Sequence, residues 1–394
     1  MEVELVKRIN IGLVVFPLNS DKYECGQFYI NQFIRILSPL SDKVITITGN
    51  YRDANIPNNV SIYSVKAPML STSNEHILKK IYMFLLAQMT ISLKLVEMRK
   101  DIDVVIFFFS NGSLILPPIL AKLLGKKIIV ATTGSFSESI KVLYRQDPFM
   151  IFYRIMKAIE YLNYELATII TVGSDKMIDE LKINKYKNKT HSKKVTSSID
   201  SSNFSIKRKF SQRDNIFGYV GRLSKEKGVI ELCKAIPLII SKRNDVKFII
   251  VGDGPLMGDA KRIIQENGCL DKVVFTGWIP NKLVPNYFNL MKFHILPSFT
   301  EALGGSNIEA ISCGAISIVN NVGGLPDIVV DNETGFVLES NSPEIIAEKI
   351  NTILEFPLDK LESIQKKGKF FVDNNFSYSS VLKEWQKVFA AISE

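Results

Sequence analysis

Ile216-Phe217-Gly218-Tyr219-Val220-Gly221-Arg222-Leu223-Ser224-Lys225-Glu226-Lys227-Gly228 says more about the class of fold than any other segment of this chain. An apolar run rich in β-branched and aromatic residues enters a glycine turn, and a helical spacing of apolar residues starts at Gly228 and continues to Ser241. Strand, glycine turn and amphipathic helix are the opening of a βαβ unit. The same pattern recurs downstream. Strands are expected at Lys247–Val251, Val273–Thr276, Phe293–Leu296, Ile316–Val319 and Gly335–Leu338. Helices are expected at Leu256–Glu266, Leu283–Leu290, Ser306–Ser312 and Pro343–Leu354.

Upstream of this series, the first half alternates in the same way. Its expected strands are Ile9–Phe16, Val44–Thr48, Ser61–Val65, Val104–Phe109, Lys127–Ala131 and Thr168–Val172. Its expected helices are Gln27–Leu37, Ile77–Arg99, Ser113–Leu124, Phe149–Leu166 and Asp175–Leu181. Each half therefore reads as an α/β, doubly wound parallel sheet, with Lys182–Lys194 as exposed loop and the polar, basic Ser201–Arg213 as the linker. The expected domains are residues 1–200 and 214–372. Open α/β sheets bind ligands at the carboxyl ends of their strands, so two such sheets facing one another would make a cleft there.

A chain of 394 residues with 46% hydrophobic and 23% charged residues is long enough for two buried cores and far from disorder. The four cysteines are scattered and the three histidines, His76, His191 and His294, show no ligand spacing, which argues against zinc and disulfide frameworks. The net charge of +9 is uneven: residues 1–200 hold 26 Lys and Arg against 18 Asp and Glu, the remainder 23 against 22. Such a balance concerns partners, with anionic lipid, nucleic acid, a phosphorylated acceptor or a merely solvated lysine-rich surface as the readings. No interleaved basic and aromatic module suggests nucleic acid. The first residues contain no secretory n-region and h-region, so a cytoplasmic location is expected. Ile81–Leu93 is free of charge over 13 residues and suits either a buried helix or one lying on a membrane surface. Asp101-Ile102-Asp103 precedes a strand and reads as a solvated turn; no metal site is expected.

The chemistry concentrates after two strands. Pro297-Ser298-Phe299-Thr300-Glu301-Ala302-Leu303-Gly304-Gly305-Ser306-Asn307-Ile308-Glu309 places two carboxylates eight positions apart around a glycine turn. The turn's N–H groups and the helix start suit a diphosphate or a sugar hydroxyl, and Glu309, about one turn into the helix, suits a ribose diol. A plain strand-to-helix turn with an acid near its helix start is the competing reading. Arg222 and Lys227, after a strand end, could neutralise a pyrophosphate; a solvated cationic loop reads the same alone. Val251-Gly252-Asp253-Gly254-Pro255 and Phe275-Thr276-Gly277-Trp278-Ile279-Pro280 are further strand-then-glycine turns.

Together with Gly314 and Gly323-Gly324, these segments resemble the large family of retaining glycosyltransferases of GT-B architecture, the family 4 (glycosyl transferases group 1) type, over Asn215–Leu338. The resemblance implies two Rossmann-like domains, the second binding a nucleotide-diphosphate sugar of UDP or GDP type, and a C-terminal helix near 376–394 packing back on the first. It implies catalytic roles for Glu301, Arg222 and Lys227. Gly221, Gly277, Leu303, Gly304, Gly305, Ser306 and Glu309 would bind the donor. Gly26, Ser110, Asn111, Thr133 and Gly134 would line the acceptor or diphosphate side. Ser198-Ile199-Asp200 with Phe204 resembles the family's entry to its linker. Two departures stand out: Thr132-Thr133-Gly134-Ser135 replaces the family's His-Gly, and Asp327 ends a motif that usually closes on Glu.

The implied activity is metal-independent, retaining transfer of a hexose-type sugar to an acceptor hydroxyl in glycan, polysaccharide or glycolipid synthesis. No cofactor is expected beyond the nucleotide-sugar substrate. The partners expected are that donor, a glycan or lipid-linked acceptor and an anionic membrane surface touched peripherally. A nucleotide-sugar epimerase on the same plan and a non-catalytic donor-binding subunit are the alternatives.

Overall fold

The computed structural model describes residues 9–15, 24–49, 51, 56–65, 77–108, 113–132, 134, 135, 137, 149–173, 175–192 and 198–393. These form two compact units, one built from the chain up to Ser198 together with Tyr378 onward, the other from Ile199–Ser377.

The first unit is a seven-stranded sheet of order β3-β2-β1-β4-β5-β6-β7, every pairing parallel. Its strands are β1 (Ile9–Val15), β2 (Ser41–Thr48), β3 (Val60–Ser64), β4 (Val104–Phe108), β5 (Lys127–Ala131), β6 (Ile169–Thr171) and β7 (Thr190–His191). Near-continuous runs such as Val104–Phe108 are buried on both faces, as a helix-covered parallel sheet requires. The helices are α1 (Glu24–Leu37), α2 (Ile77–Glu97), α3 (Leu116–Leu123), α4 (Phe149–Leu166) and α5 (Asp175–Glu180). Strand order runs leftward from β1 through α1 and rightward through α2, α3 and α4, so right-handed crossovers place those three helices on one face and α1 on the other.

The face carrying α1 is completed by the last helix of the chain, α12 (Tyr378–Ser393). Its Trp385 is fully buried and meets Phe33 edge to face at 5.2 Å, while Phe33 stacks on Phe108 at 4.2 Å. His191 of β7 faces Glu384 of α12 at 3.2 Å, an acid that its sequence neighbourhood does not reveal. Of the segment 182–194 expected as exposed loop, the described part, 182–192, is instead ordered: a 3-10 stretch at Asn184–Lys189 buries Tyr186, whose hydroxyl donates to Glu165 at 2.6 Å, and leads into β7.

The second unit is a six-stranded parallel sheet of order β10-β9-β8-β11-β12-β13. Its strands are β8 (Ile216–Val220), β9 (Lys247–Val251), β10 (Val273–Gly277), β11 (Phe293–Leu296), β12 (Ile316–Asn320) and β13 (Phe336–Leu338). Its helices are α6 (Val229–Ile240), α7 (Met257–Glu266), α8 (Val284–Leu290), α9 (Gly305–Ser312), α10 (Pro343–Leu354) and α11 (Leu358–Phe376). The chain winds outward from β8 to β10, then crosses back to β11 and winds the other way, so the switch point lies between β8 and β11.

The segment expected as a linker, Ser201–Arg213, belongs to this unit and is clasped to it. Phe204 and Phe210 are buried. The buried Arg213 guanidinium donates to the carbonyls of Arg208, Phe288, Met291 and Cys313, the last at 2.6 Å. Asn289 accepts from the Lys207 N–H at 2.6 Å and donates to the Ser205 carbonyl. Carbonyls left over at the ends of α8 and α9 thereby find a donor, which is why a basic residue is buried there.

Candidate functional site at the switch point of the second unit

The loops after β8 and β11 flank the switch point, and backbone contacts bring them together. A Cβ on Gly228 would stand 2.0 Å from the Pro297 carbonyl oxygen, and the Phe299 N–H donates to the Glu226 carbonyl at 2.9 Å. On the other side of the Glu301 loop, a Cβ on Gly323 would stand 1.6 Å from the Glu301 carbonyl oxygen, and Gly324 N–H donates to Ala302. Only glycine admits backbones this close, and both residues hold a positive φ. The β9 loop is keyed in likewise, with Leu223 N–H donating to the Asp253 carbonyl at 2.9 Å. The glycine turns thus lock three strand ends into one edge.

Lys227 Nζ donates to Glu301 Oε2 at 2.6 Å, both side chains mostly shielded. Ser298 Oγ, buried, reaches the same carboxylate oxygen at 3.4 Å, and Ala302 N–H reaches the other at 3.3 Å. Asn320 of β12 holds the Ser298 carbonyl at 3.0 Å. Arg222, half exposed, pairs with the buried Glu226 and donates to Ser224 Oγ at 3.2 Å. Burial opposes ionisation of Glu226, yet hydrogen bonds from Ser224 and Arg222 hold its carboxyl below the ordinary value. Tyr219, fully buried, donates to the Arg222 carbonyl at 2.8 Å, and burial with the nearby Glu301 and Glu226 pushes its pKa well up.

Glu309 sits one turn inside α9, buried, and burial pushes its carboxyl up to about 8. Leu303 and Gly304 are buried at the helix entry, whereas Gly305, Ser306, Gly221 and Gly277 are partly accessible. Asn307 is fully buried, and neither polar atom of its side chain has a partner among the described residues. The edge therefore presents two cations, each paired with a carboxylate, a third carboxyl that is buried, and a helix start. Such a set can neutralise a diphosphate and accept hydroxyl donors. Among the described residues no three His, Cys, Asp or Glu converge as a cation site.

Of the first-half candidates, Gly134 follows β5 with φ 144°, and Gly26 lies in the first turn of α1 rather than ending a loop. Ser110, Asn111 and Thr133 lie outside the described residues, as does most of Pro17–Gly26. Sequence reasoning missed Glu160 of α4, whose buried carboxylate accepts from Ser137 N–H at 3.0 Å and Ser137 Oγ at 2.8 Å and so anchors the chain just after Gly134. It also missed Glu226 as the holder of Arg222. The Ser224-x-Glu226 spacing beside a cation was the available signal.

Residues 200–370 match the family glycosyl transferases group 1. The matched span holds every residue of the edge just described. A 2-deoxystreptamine glucosyltransferase of Streptomyces kanamyceticus is 30% identical over 40% of this chain and 41% of its own length. The capsular polysaccharide biosynthesis glycosyltransferase CapM of Staphylococcus aureus is 30% identical over 44% and 45%. The chain thus spans less than half the length of these relatives. Two solved structures are similar along nearly the whole chain: Anabaena HepE in complex with UDP and glucose, with TM-score 0.72, 16% identity and coverage of 97% and 100%, and Thermosynechococcus elongatus sucrose-phosphate synthase, with TM-score 0.74, 18% identity and coverage of 97% and 99%. The fold is GT-B, two Rossmann-like α/β units with parallel sheets.

Proposed function

We propose that this protein is a glycosyltransferase of the retaining, family 4 kind, moving a hexose-type sugar from a UDP or GDP donor to an acceptor hydroxyl in glycan synthesis. The observation that carries the reading is the Lys227–Glu301 pair at the switch point, with Glu309 buried one helical turn beyond the same glycine loop. The diphosphate takes Lys227 and Arg222 as counter-charges and the start of α9 as its N–H cradle. The ribose diol donates to Glu309. Glu301, released from Lys227, faces the transferred sugar.

Departure of the nucleoside diphosphate builds negative charge where these cations already stand, and charge fixed in place beforehand supplies most of the acceleration in many reactions of this kind. Because Arg222 and Lys227 fill the electrostatic role, the step needs no metal ion. The C1–O bond to the diphosphate breaks as the acceptor hydroxyl attacks on the same face, passing its proton to the departing diphosphate oxygen, and the anomeric configuration is retained. The first unit binds the acceptor. The glucosyltransferase and capsular glycosyltransferase names among the relatives, and UDP with glucose in the HepE complex, support this choice of donor class and of a glycan acceptor.

A thermal-shift panel of UDP, GDP, ADP, CDP and dTDP tests the donor site. A ligand bound only by the folded state adds about 2.7 kcal/mol at a hundredfold excess over Kd. One nucleotide is expected to raise the melting temperature, and Glu309→Ala to abolish the shift. No shift with any of the five would overturn the donor site. Acceptor-dependent release of the nucleoside diphosphate then separates a transferase from an epimerase or a binding subunit, neither of which releases it.

A further inference from the structure

The helical layer formed by α2, α3 and α4 has an apolar outer face. In α2, Ala87, Gln88, Ile91 and Leu95 point inward and are buried. The opposite stripe would be polar on an ordinary surface helix, yet it holds Leu85, Met89 and Leu93, 52%, 57% and 66% exposed, together with Tyr82 and Leu86. No charge interrupts residues 81–93. The apolar surface continues on α3 with Leu123, 78% exposed, and on α4 with Ile151, 66% exposed, and Ile155.

These helices are neighbours. Gln88 of α2 accepts from Ile115 N–H at 3.0 Å and donates to the Ser113 carbonyl at 2.7 Å, at the entry to α3. Ile115 packs on Met156 and Ile159 of α4. Exposed apolar residues thus recur on three adjoining helices of one layer, an arrangement of the kind that marks an interaction site.

Charge selects the occupant. Residues 77–126 hold seven Lys and Arg against three Asp and Glu, and no acid occurs between Val104 and Ser137. Exposed Lys122 and Arg154 adjoin Leu123 and Ile155 in sequence, and exposed Arg99 and Lys100 follow the end of α2. We propose that the outer face of the α2–α3–α4 layer docks on an anionic lipid bilayer, with Leu85, Met89, Leu93, Leu123 and Ile151 in the headgroup boundary and the neighbouring cations on lipid phosphates. Self-association through this face would bring like charges together. None of the described helices is long and apolar enough to cross a membrane, so the contact is peripheral.

The test is flotation of the full chain with phosphatidylcholine vesicles, with and without phosphatidylglycerol. The wild type is expected to float with the anionic vesicles alone, less so as salt is raised. Leu85→Glu/Leu93→Glu is expected to lower binding by about tenfold or more, because two leucine insertions are lost. Both positions are exposed, so the melting temperature and its shift with nucleotide should match wild type, which separates this surface from the donor site. Failure of the wild type to float, or equal flotation of the double variant, would overturn the proposal. So would light scattering that finds a wild-type dimer which the double variant dissolves.

Discussion

Lys227 Nζ stands 2.6 Å from Glu301 Oε2, although 74 residues separate the two in the chain. They meet because the strands that carry them are neighbours across the switch point and the Gly228 and Gly323 backbones let the loops stack. In this structure each group satisfies the other. A diphosphate would exchange one acidic partner of Lys227 for another and leave Glu301 available to sugar.

Removing either cation should therefore slow turnover much more than it loosens the fold. Lys227→Ala and Arg222→Ala are each expected to lower kcat by about 10²–10³, the usual loss when a preorganised donor to developing charge is deleted. Steady-state release of the nucleoside diphosphate measures this. Near-normal kcat in both would remove the catalytic assignment.

The loop stacking can be probed apart from chemistry. Gly268 also has a positive φ, but a Cβ there meets nothing within 4 Å, so Gly268→Ala should cost about 1–2 kcal/mol, the left-handed penalty alone. Gly228→Ala and Gly323→Ala meet backbone carbonyl oxygens at 2.0 and 1.6 Å and should cost clearly more, while also weakening nucleotide binding. Urea unfolding midpoints give the comparison. Equal losses at all three positions would mean that the close approaches do not constrain the site.

Glu309 supplies a pH signature. Its folded pKa of about 8 lies above the ordinary carboxyl value, so the folded protein binds a proton that the unfolded chain has released. The associated stability is complete below about pH 4.5 and is lost as pH rises toward 8, by up to about 1.4 kcal/mol per pH unit. Relative to Glu309→Gln, the wild type should lose stability between pH 5 and 8 and run parallel above it, values set by the folded and ordinary pKa. A bound ribose diol favours the ionised form and should flatten the curve. Parallel profiles of wild type and variant across the whole window would contradict a buried, protonated Glu309.

Arg213 predicts a purely structural loss. Burial lowers its pKa to about 10, so it is charged at neutral pH, and it donates to carbonyls of four residues. Hydrogen bonds to a charged group are worth about 1.5–3 kcal/mol each, and Arg213→Ala leaves several acceptors buried and unpaired. The variant should lose at least about 3 kcal/mol, whereas Lys207→Ala, with its exposed amine, should lose less than about 1 kcal/mol. Equal effects would mean that the clasp is not holding 201–213 to the unit.

The sheets were legible because parallel strands buried on both faces read as near-continuous apolar runs, as at Val104–Phe108 and at Phe248–Val251, which Gly252 closes. Edges and polar elements were not. Strand β7 has two residues and depends on Tyr186 finding Glu165, a contact no local pattern encodes. Helix α11 is mostly polar and shows only a thin stripe of Leu361, Ile364, Gly368 and Val372, so it went unread. At the site, Arg222, Lys227, Glu301 and Glu309 stood out by their places after strands. Glu226 and Glu160 did not, because a carboxylate's value there comes from burial beside partners that only the fold assembles. The basic 201–213 stretch looked like a tether because three of Arg213's four acceptor carbonyls, those of Phe288, Met291 and Cys313, lie 75 to 100 residues away.

Trp385 and its neighbours on α12 close the core of the first unit, yet they are made after all of Ile199–Ser377. On the ribosome the second unit can fold as it emerges, while the sheet of the first waits with Phe33 and Phe108 uncovered. The first half of the chain is thus the last to be sealed, and during that interval it has to be kept from aggregating by something other than its own packing.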